Sequence, residues 1–322
     1  MLRAVVLLLA VASVARADDF PKHVLKSDKL TVTVYLPDSK AGFYRGTRFD
    51  WAGVCSVEFG GHKVFGPWKA KHDPKNNDDI VGPVEEFGSS VSPLGYDDAK
   101  AGETFVKIGV GELTKPKEDK YRFFHNYAIA TAGEWTVEKS DAKITFTQTL
   151  TTTSGYGYKY TKILTVIGTE LRLTHVLENT GTKVIKTDVY NHNFFNVDGD
   201  GVGKNYELEF PFAPSAPTPQ NRFAEVVRLD GKKLTFAGEL DKGQIFADLG
   251  GFNAKPDNKD AKVTMRHKPS GVSVTATADQ PLHAVRVWGI KETICPEPFL
   301  LFDIAPGKKA TWTWTYEFTK AK

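Results

Sequence analysis

Apolar and polar residues alternate along most of this chain, and the alternation predicts its elements. "LTVTVYL" (30–36) interleaves β-branched and apolar residues. "KITFTQTL" (143–150) puts Thr145, Thr147 and Thr149 on one side, with Ile144, Phe146 and Leu150 on the other. In "ATWTWTYEF" (310–318), Trp312, Trp314, Tyr316 and Phe318 share a face. "YGYKYTKILTV" (156–166), "ELRLTHVLEN" (170–179), "VSVTATA" (272–278) and "HAVRVWGI" (283–290) follow suit. A period of two over such runs predicts half-buried antiparallel strands. "ENTGT" (178–182), "LDGKK" (229–233) and "APGKK" (305–309) supply the turns between them. No long amphipathic helix is visible; "YDDAKAG" (96–102) has room for a helical turn or two. The Pro-rich "FPFAPSAPTPQ" (210–220) reads as a long surface loop, because strand patterns continue on both sides. The expected fold class is all-β, a large sandwich of antiparallel sheets.

The first residues do not follow this pattern. Arg3, an uncharged apolar run from Ala4 to Val14, and the small-x-small Ala15-Arg16-Ala17 read as a secretory signal peptide over 1–17. The run is too short for a membrane span, and no later one is long enough. The expected product is a periplasmic or secreted domain over 18–322. The formal charge of +3 is small and its cations are scattered, so neither a nucleic-acid groove nor a membrane patch is expected. Export permits a disulfide between the two cysteines, Cys55 and Cys295; two buried thiols are the other reading.

Four segments carry more polar and aromatic residues than a plain sandwich needs. "FYRGTRFDW" (43–51) holds Arg45, Arg48 and Asp50; Arg48 is either a plain surface charge or is held against the aromatic surface of Phe49 and Trp51, where a guanidinium can grip hydroxyl or carboxylate oxygens. "GPVEEFG" (82–88) holds Glu85 and Glu86, which point opposite ways if extended, so at most one enters a given cleft. "YNHNFFNVDG" (190–199) puts Tyr190, His192 and Phe194 on one face and Asn191 and Asn193 on the other, with Asp198 in the turn beyond. His192 is either a core histidine held by backbone or a group placed to move a proton near neutral pH. In "KETICPEPF" (291–299), Glu297 stands between Pro296 and Pro298, which implies an irregular or edge strand there. Glu297 reads as a placed general base or as a solvent-facing turn residue. "VDGDGVGKN" (197–205) lacks the full ligand series of a calcium loop, and no metal is required. There is no G-x-S-x-G, H-E-x-x-H or C-x-x-C pattern.

Two of these segments resemble a known family. "NHNFFN" (191–196) is similar to the Asn-His-x-Tyr-Phe-Asn motif of the aldose 1-epimerases, or galactose mutarotases. "CPEPF" (295–299), followed by "IAPGKKATWTWTYEF", resembles the Cys-Val-Glu-Pro segment and closing strand of the hexose-6-phosphate branch. The resemblance implies a galactose mutarotase-like β-supersandwich, with a sugar in an open cleft on one sheet. It implies that Glu297 takes the proton from the anomeric hydroxyl and that His192 protonates the ring oxygen, from opposite sides of the sugar. Ring opening, rotation and closure then exchange the anomers, with no cofactor. Arg48, Glu86, Asn191, Asp198 and Trp288 are the expected substrate-binding residues, Trp288 as a stacking platform. The chain departs from the family pattern in places. A second histidine is not placed, with His62 and His125 as candidates, and Glu292 in Glu292-Thr293 is a rival base. The phosphate-gripping arginines are not evident, which leaves a neutral sugar, an oligosaccharide end or a uronate. Two alternatives share the fold. One is a carbohydrate-binding protein without catalysis. The other is a glycan-cleaving enzyme pairing Glu85 or Glu86 with Glu297.

Overall fold

A computed structural model describes residues 20–253 and 257–321; the leader expected over 1–17 lies outside the described residues. The alternating runs become strands within a residue or so of their expected limits: Leu30–Tyr35, Lys143–Thr151, Gly157–Ile167, Glu170–Asn179, Val272–Ala278 and Ala284–Ile290. Among the described residues the one α-helix is the four-residue Phe223–Val226. The 96–102 segment forms hydrogen-bonded turns and no helix, with an Ala99 N–H bond to the Gly95 carbonyl of 3.1 Å.

Two antiparallel sheets dominate. The larger has ten strands and carries Lys309–Lys320 near its middle, between Val272–Ala278 and Glu170–Asn179. Trp312, Trp314, Tyr316 and Phe318 of that strand are fully buried, and its threonines alternate outward. The smaller sheet has six strands. In spatial order they are Gln220–Asn221, Gln244–Asp248, Ala284–Ile290, Thr293–Ile304, Ile185–His192 and Val84–Phe87. Its inner face, with Val189, Ile294 and Leu300, joins the main core. Its outer face, with Phe194 and Cys295, joins a second apolar cluster built on the 43–54 and 80–84 segments. A half-buried sheet has only one covered face; here loops cover much of the other. Burying both faces explains why Val84–Phe87 is buried at every position and Ile185–His192 at all but Lys186. The Pro-rich loop ends in Gln220–Asn221, the outermost strand of the smaller sheet.

Candidate active site

The outer face of the six-stranded sheet carries a cleft of about 570 Å³. Glu297, His192, Arg48 and Trp288 all line it. Strand alternation explains His192: Tyr190, His192 and Phe194 face the cleft, while Asn191 and Asn193 face the larger sheet.

Glu297 lies on an interior strand, between Ala284–Ile290 and Ile185–His192, which corrects the expectation of an edge. The irregularity is one-sided. Regular pairing with Ile185–His192 stops at Tyr190 opposite Phe299, and the Asn193 side-chain amide donates to the Pro296 carbonyl at 2.8 Å. Pro296 and Pro298 therefore direct their missing donors to the side where the ladder has opened, and Glu297 keeps its backbone partner Arg286.

The imidazole Nε2 of His192 lies 3.2 Å from Oε1 of Glu297. Both side chains are almost fully enclosed, 3% and 6% exposed. The imidazole stacks on Phe194, with centroids 3.9 Å apart and planes 7° from parallel. Phe49 and Trp288 meet its edges, each centroid 5.5 Å away. His192 Nδ1 has no hydrogen-bond partner among the described residues. Burial raises the Glu297 carboxyl to about 8, against the pull of Arg48 and Arg286. Burial, with Arg48 nearby, holds the His192 imidazole well below its usual value. Near neutral pH the pair is therefore uncharged and holds one transferable proton. A hop from carboxyl to imidazole turns it into a carboxylate base beside an imidazolium acid. The two groups sit side by side, with no room for a ring between them, so the opposite-flank arrangement is corrected. Adjacent groups suit two oxygens on one carbon, as at the anomeric centre of a pyranose.

Arg48 is fixed from several directions. Its Nε donates to Glu86 at 2.7 Å, Nη1 to Asp78 and Nη2 to the Tyr190 hydroxyl at 3.1 Å. Its guanidinium lies over Phe49 and Phe123 at 4.5 and 4.3 Å. The Tyr44 hydroxyl accepts from the Arg48 and Phe49 N–H groups and so shapes the turn that presents it. Burial opposes the charge on Arg48, and Glu86, Tyr190 and Asp78 together more than restore it.

Not every expected binding residue reaches the cleft. Glu86 is fully buried beneath Arg48, where it also accepts from Lys107 and from the Tyr190 hydroxyl. Burial works against its charge, and the flanking Arg48 and Lys107 hold its carboxyl low. Glu85 points the other way, into the core, against Lys162 and His175. The carboxylate partner needed for glycan cleavage is thus absent from the cleft at both positions. Asn191 donates to the Tyr316 hydroxyl between the sheets, because its parity on the strand turns it inward. Asp198 closes a turn, accepting from His62 and from the Lys63 N–H, away from the cleft. Glu292 is exposed in the hairpin turn before Glu297's strand. Of the two candidate second histidines, His62 is paired with Asp198 and His125 with Glu118. Cys55 and Cys295 are buried free thiols, with no bridge between them.

Several cleft residues were not singled out from sequence: Asp78, Phe123, Phe124, Gln220, Gln244 and Arg286. The adjacent "FF" at 123–124 is the one visible signal in the sequence, and both residues prove exposed, by 44% and 58%. The others reach the cleft only through strand register and loop paths.

No family profile matches the sequence, and no curated protein matches it. Solved structures do match in shape. The Slr1438 protein from Synechocystis aligns over 97% of this chain and all of its own, at 11% identity and a TM-score of 0.57. A GalM/aldose epimerase homologue from C. elegans covers 94% of this chain and all of its own, at 12% identity and a TM-score of 0.54. A galactose mutarotase related enzyme from Lactobacillus acidophilus covers 94% of this chain and 99% of its own, at 14% identity and a TM-score of 0.52. At these identities the likeness is one of architecture: the chain has the galactose mutarotase-like β-sandwich fold.

Proposed function

We propose that this protein interconverts the anomers of a sugar by acid–base opening of its ring. The observation that carries the reading is the enclosed Glu297–His192 pair at 3.2 Å in a cleft beside Arg48. Glu297 takes the proton of the anomeric hydroxyl while His192 gives one to the ring oxygen. The C1–O5 bond breaks, C1 becomes an aldehyde carbon, and the chain rotates about C1–C2. Closure on the other face reverses both transfers and restores the pair, so no proton is consumed. Each positioned proton transfer contributes ~10²–10⁴-fold in rate. Arg48 holds hydroxyl oxygens of the sugar, and Trp288 packs on its apolar face. We also infer that the 1–17 leader directs export, which an N-terminal sequence of the mature protein starting near residue 18 tests.

Polarimetry or NMR on freshly dissolved aldoses is the direct test. Wild type accelerates the approach to anomeric equilibrium, and Glu297→Gln abolishes the acceleration. A wild-type protein that leaves every common aldose at its spontaneous rate refutes the reading. A second reading is a carbohydrate-binding protein on the same fold. It is favoured by the near-complete enclosure of the pair, 3% and 6% exposed, and it predicts glycan binding without anomerisation.

A further inference from the structure

We infer that the cleft receives the reducing end of a neutral di- or oligosaccharide, with its second ring lying over Trp288 and Phe246. The inference takes from the proposed function only the position of the first ring, over Glu297 and His192. Strand register supplies the rest. Gln220 pairs with Phe246, Phe246 with Trp288, and Trp288 with Cys295, two residues from Glu297. These side chains form one row across four adjacent strands. Three strand spacings put Gln220 about 14 Å from the strand of Glu297. That track is longer than one pyranose ring.

The chemistry along the track suits a second sugar. Phe246 and Trp288 offer ring faces, and both are only partly covered. Beside them stand the amides of Gln220, Asn221 and Gln244, which both donate and accept hydrogen bonds, as sugar hydroxyls do. The Trp288 indole N–H donates to Gln244 Oε1 at 3.1 Å, which leaves the Gln244 amide hydrogens for a ligand. Asn221 holds a left-handed backbone, φ 56°, within the outermost strand beside these groups. Such conformations often mark binding sites.

Charge argues for a neutral ligand. Both guanidinium groups lining the cleft already face carboxylates: Arg48 faces Glu86 and Asp78, and Arg286 donates to Asp248 at 2.7 Å. An anionic sugar would meet cations that are already compensated. Because anomer exchange needs a free C1, the second ring is attached through another carbon of the first.

Titration calorimetry on Glu297→Gln tests this without turnover. Maltose, cellobiose and lactose are compared with glucose, the reducing-end sugar of all three. We expect at least one disaccharide to bind about tenfold tighter than glucose, an increment typical of one added stacked ring. Phe246→Ala should bring that ratio close to unity. Gln220→Ala, at an exposed position, should lower it in the same direction and serves if Phe246→Ala does not fold. Equal affinities for disaccharides and glucose overturn the inference, and so does a ratio that neither substitution changes. If the preference is found while wild type fails to accelerate anomerisation, the extended site stands and the proposed catalysis falls.

Discussion

Among the described residues, two glutamate–histidine pairs are enclosed on both sides, and they behave in opposite ways. In the core, His175 Nε2 lies 2.9 Å from Glu85, and its ring stacks on Trp312 at 4.7 Å. In the cleft, His192 Nε2 lies 3.2 Å from Glu297, and its ring stacks on Phe194 at 3.9 Å. Burial raises both carboxyls. At Glu85 the Lys162 ammonium and His175 outweigh burial and hold it down to about 2. At Glu297 the pull of Arg48 and Arg286 does not outweigh burial, and it stays up at about 8. Lys162 also serves Asp50, 3.5 Å away, but burial and the neighbouring Glu85 leave Asp50 up at about 7. Gly53 makes room for this ammonium: at φ +75° a Cβ there would lie 2.8 Å from Lys162 Nζ. Residue type and burial are thus the same at both places. An adjacent ammonium makes one pair a fixed charge, and its absence leaves the other with a proton to give.

The sharpest test of that contrast is removal of the cleft carboxyl. Glu297→Gln should slow anomerisation by ~10²–10⁴-fold, equivalent to about 3–5.5 kcal/mol of barrier, with the fold retained. A smaller loss would put the proton transfer elsewhere. In the core, Lys162→Met leaves Glu85 and Asp50 buried without their cation. Denaturant unfolding should show a loss of about 3–5 kcal/mol, and a loss under ~1 kcal/mol would break the comparison.

The pH dependence sharpens it further. Glu297 keeps its proton in the folded chain up to about 8 but loses it near 4.5 when unfolded, so rising pH favours unfolding between those values. His192 acts oppositely: its folded value lies below the usual 6.5, so stability rises with pH up to about 6.5. The two slopes cancel from about 4.5 toward 6.5, wherever His192 is still neutral. Asp50, held up at about 7, adds a fall of the same sign at lower pH; from about 7 to 8 the Glu297 carboxyl is the group that remains, and stability should fall by about 1.4 kcal/mol. Glu85 carries the reverse sign: its stabilisation is present above 4.5 and is lost as pH falls toward about 2. Chemical unfolding across pH, with Glu297→Gln as the control, should flatten the alkaline arm alone. Activity should follow the singly protonated pair and decline as pH rises through about 8. The smallest effect belongs to Asp198→Ala, which removes a half-exposed pair with His62. It should cost about 1 kcal/mol or less and leave anomerisation unchanged.

The sequence made the strands legible because their alternation is local. Trp312 to Phe318 could be placed on one face without knowing what they touch. The same parity argument put Tyr190, His192 and Phe194 together, and it placed Asn191 on the other side, although Asn191 was still read as a binding residue. Contacts between distant segments were not legible. Lys162 meets Glu85 across 77 positions of sequence; parity sets it on the face of Tyr160 and Leu164, but nothing in "KYTKIL" names its partner. Arg286 and Gln244 reach the cleft through cross-strand register, which the hydrophobic pattern leaves open when both faces of a sheet are covered. The prolines implied an irregular or edge strand; the strand is interior and irregular on one side, and which side that is depends on where its neighbour departs.

Those prolines have a consequence for solubility. A slit between two strands is an invitation: a foreign extended segment can slip in, bond along the exposed edge and seed aggregation. Pro296 and Pro298 offer that intruder no amide hydrogens, and the Asn193 side chain already occupies the carbonyl between them. With Phe195 and Ile294 bridged just beyond, the buried break in the ladder gives another polypeptide nothing to zip onto.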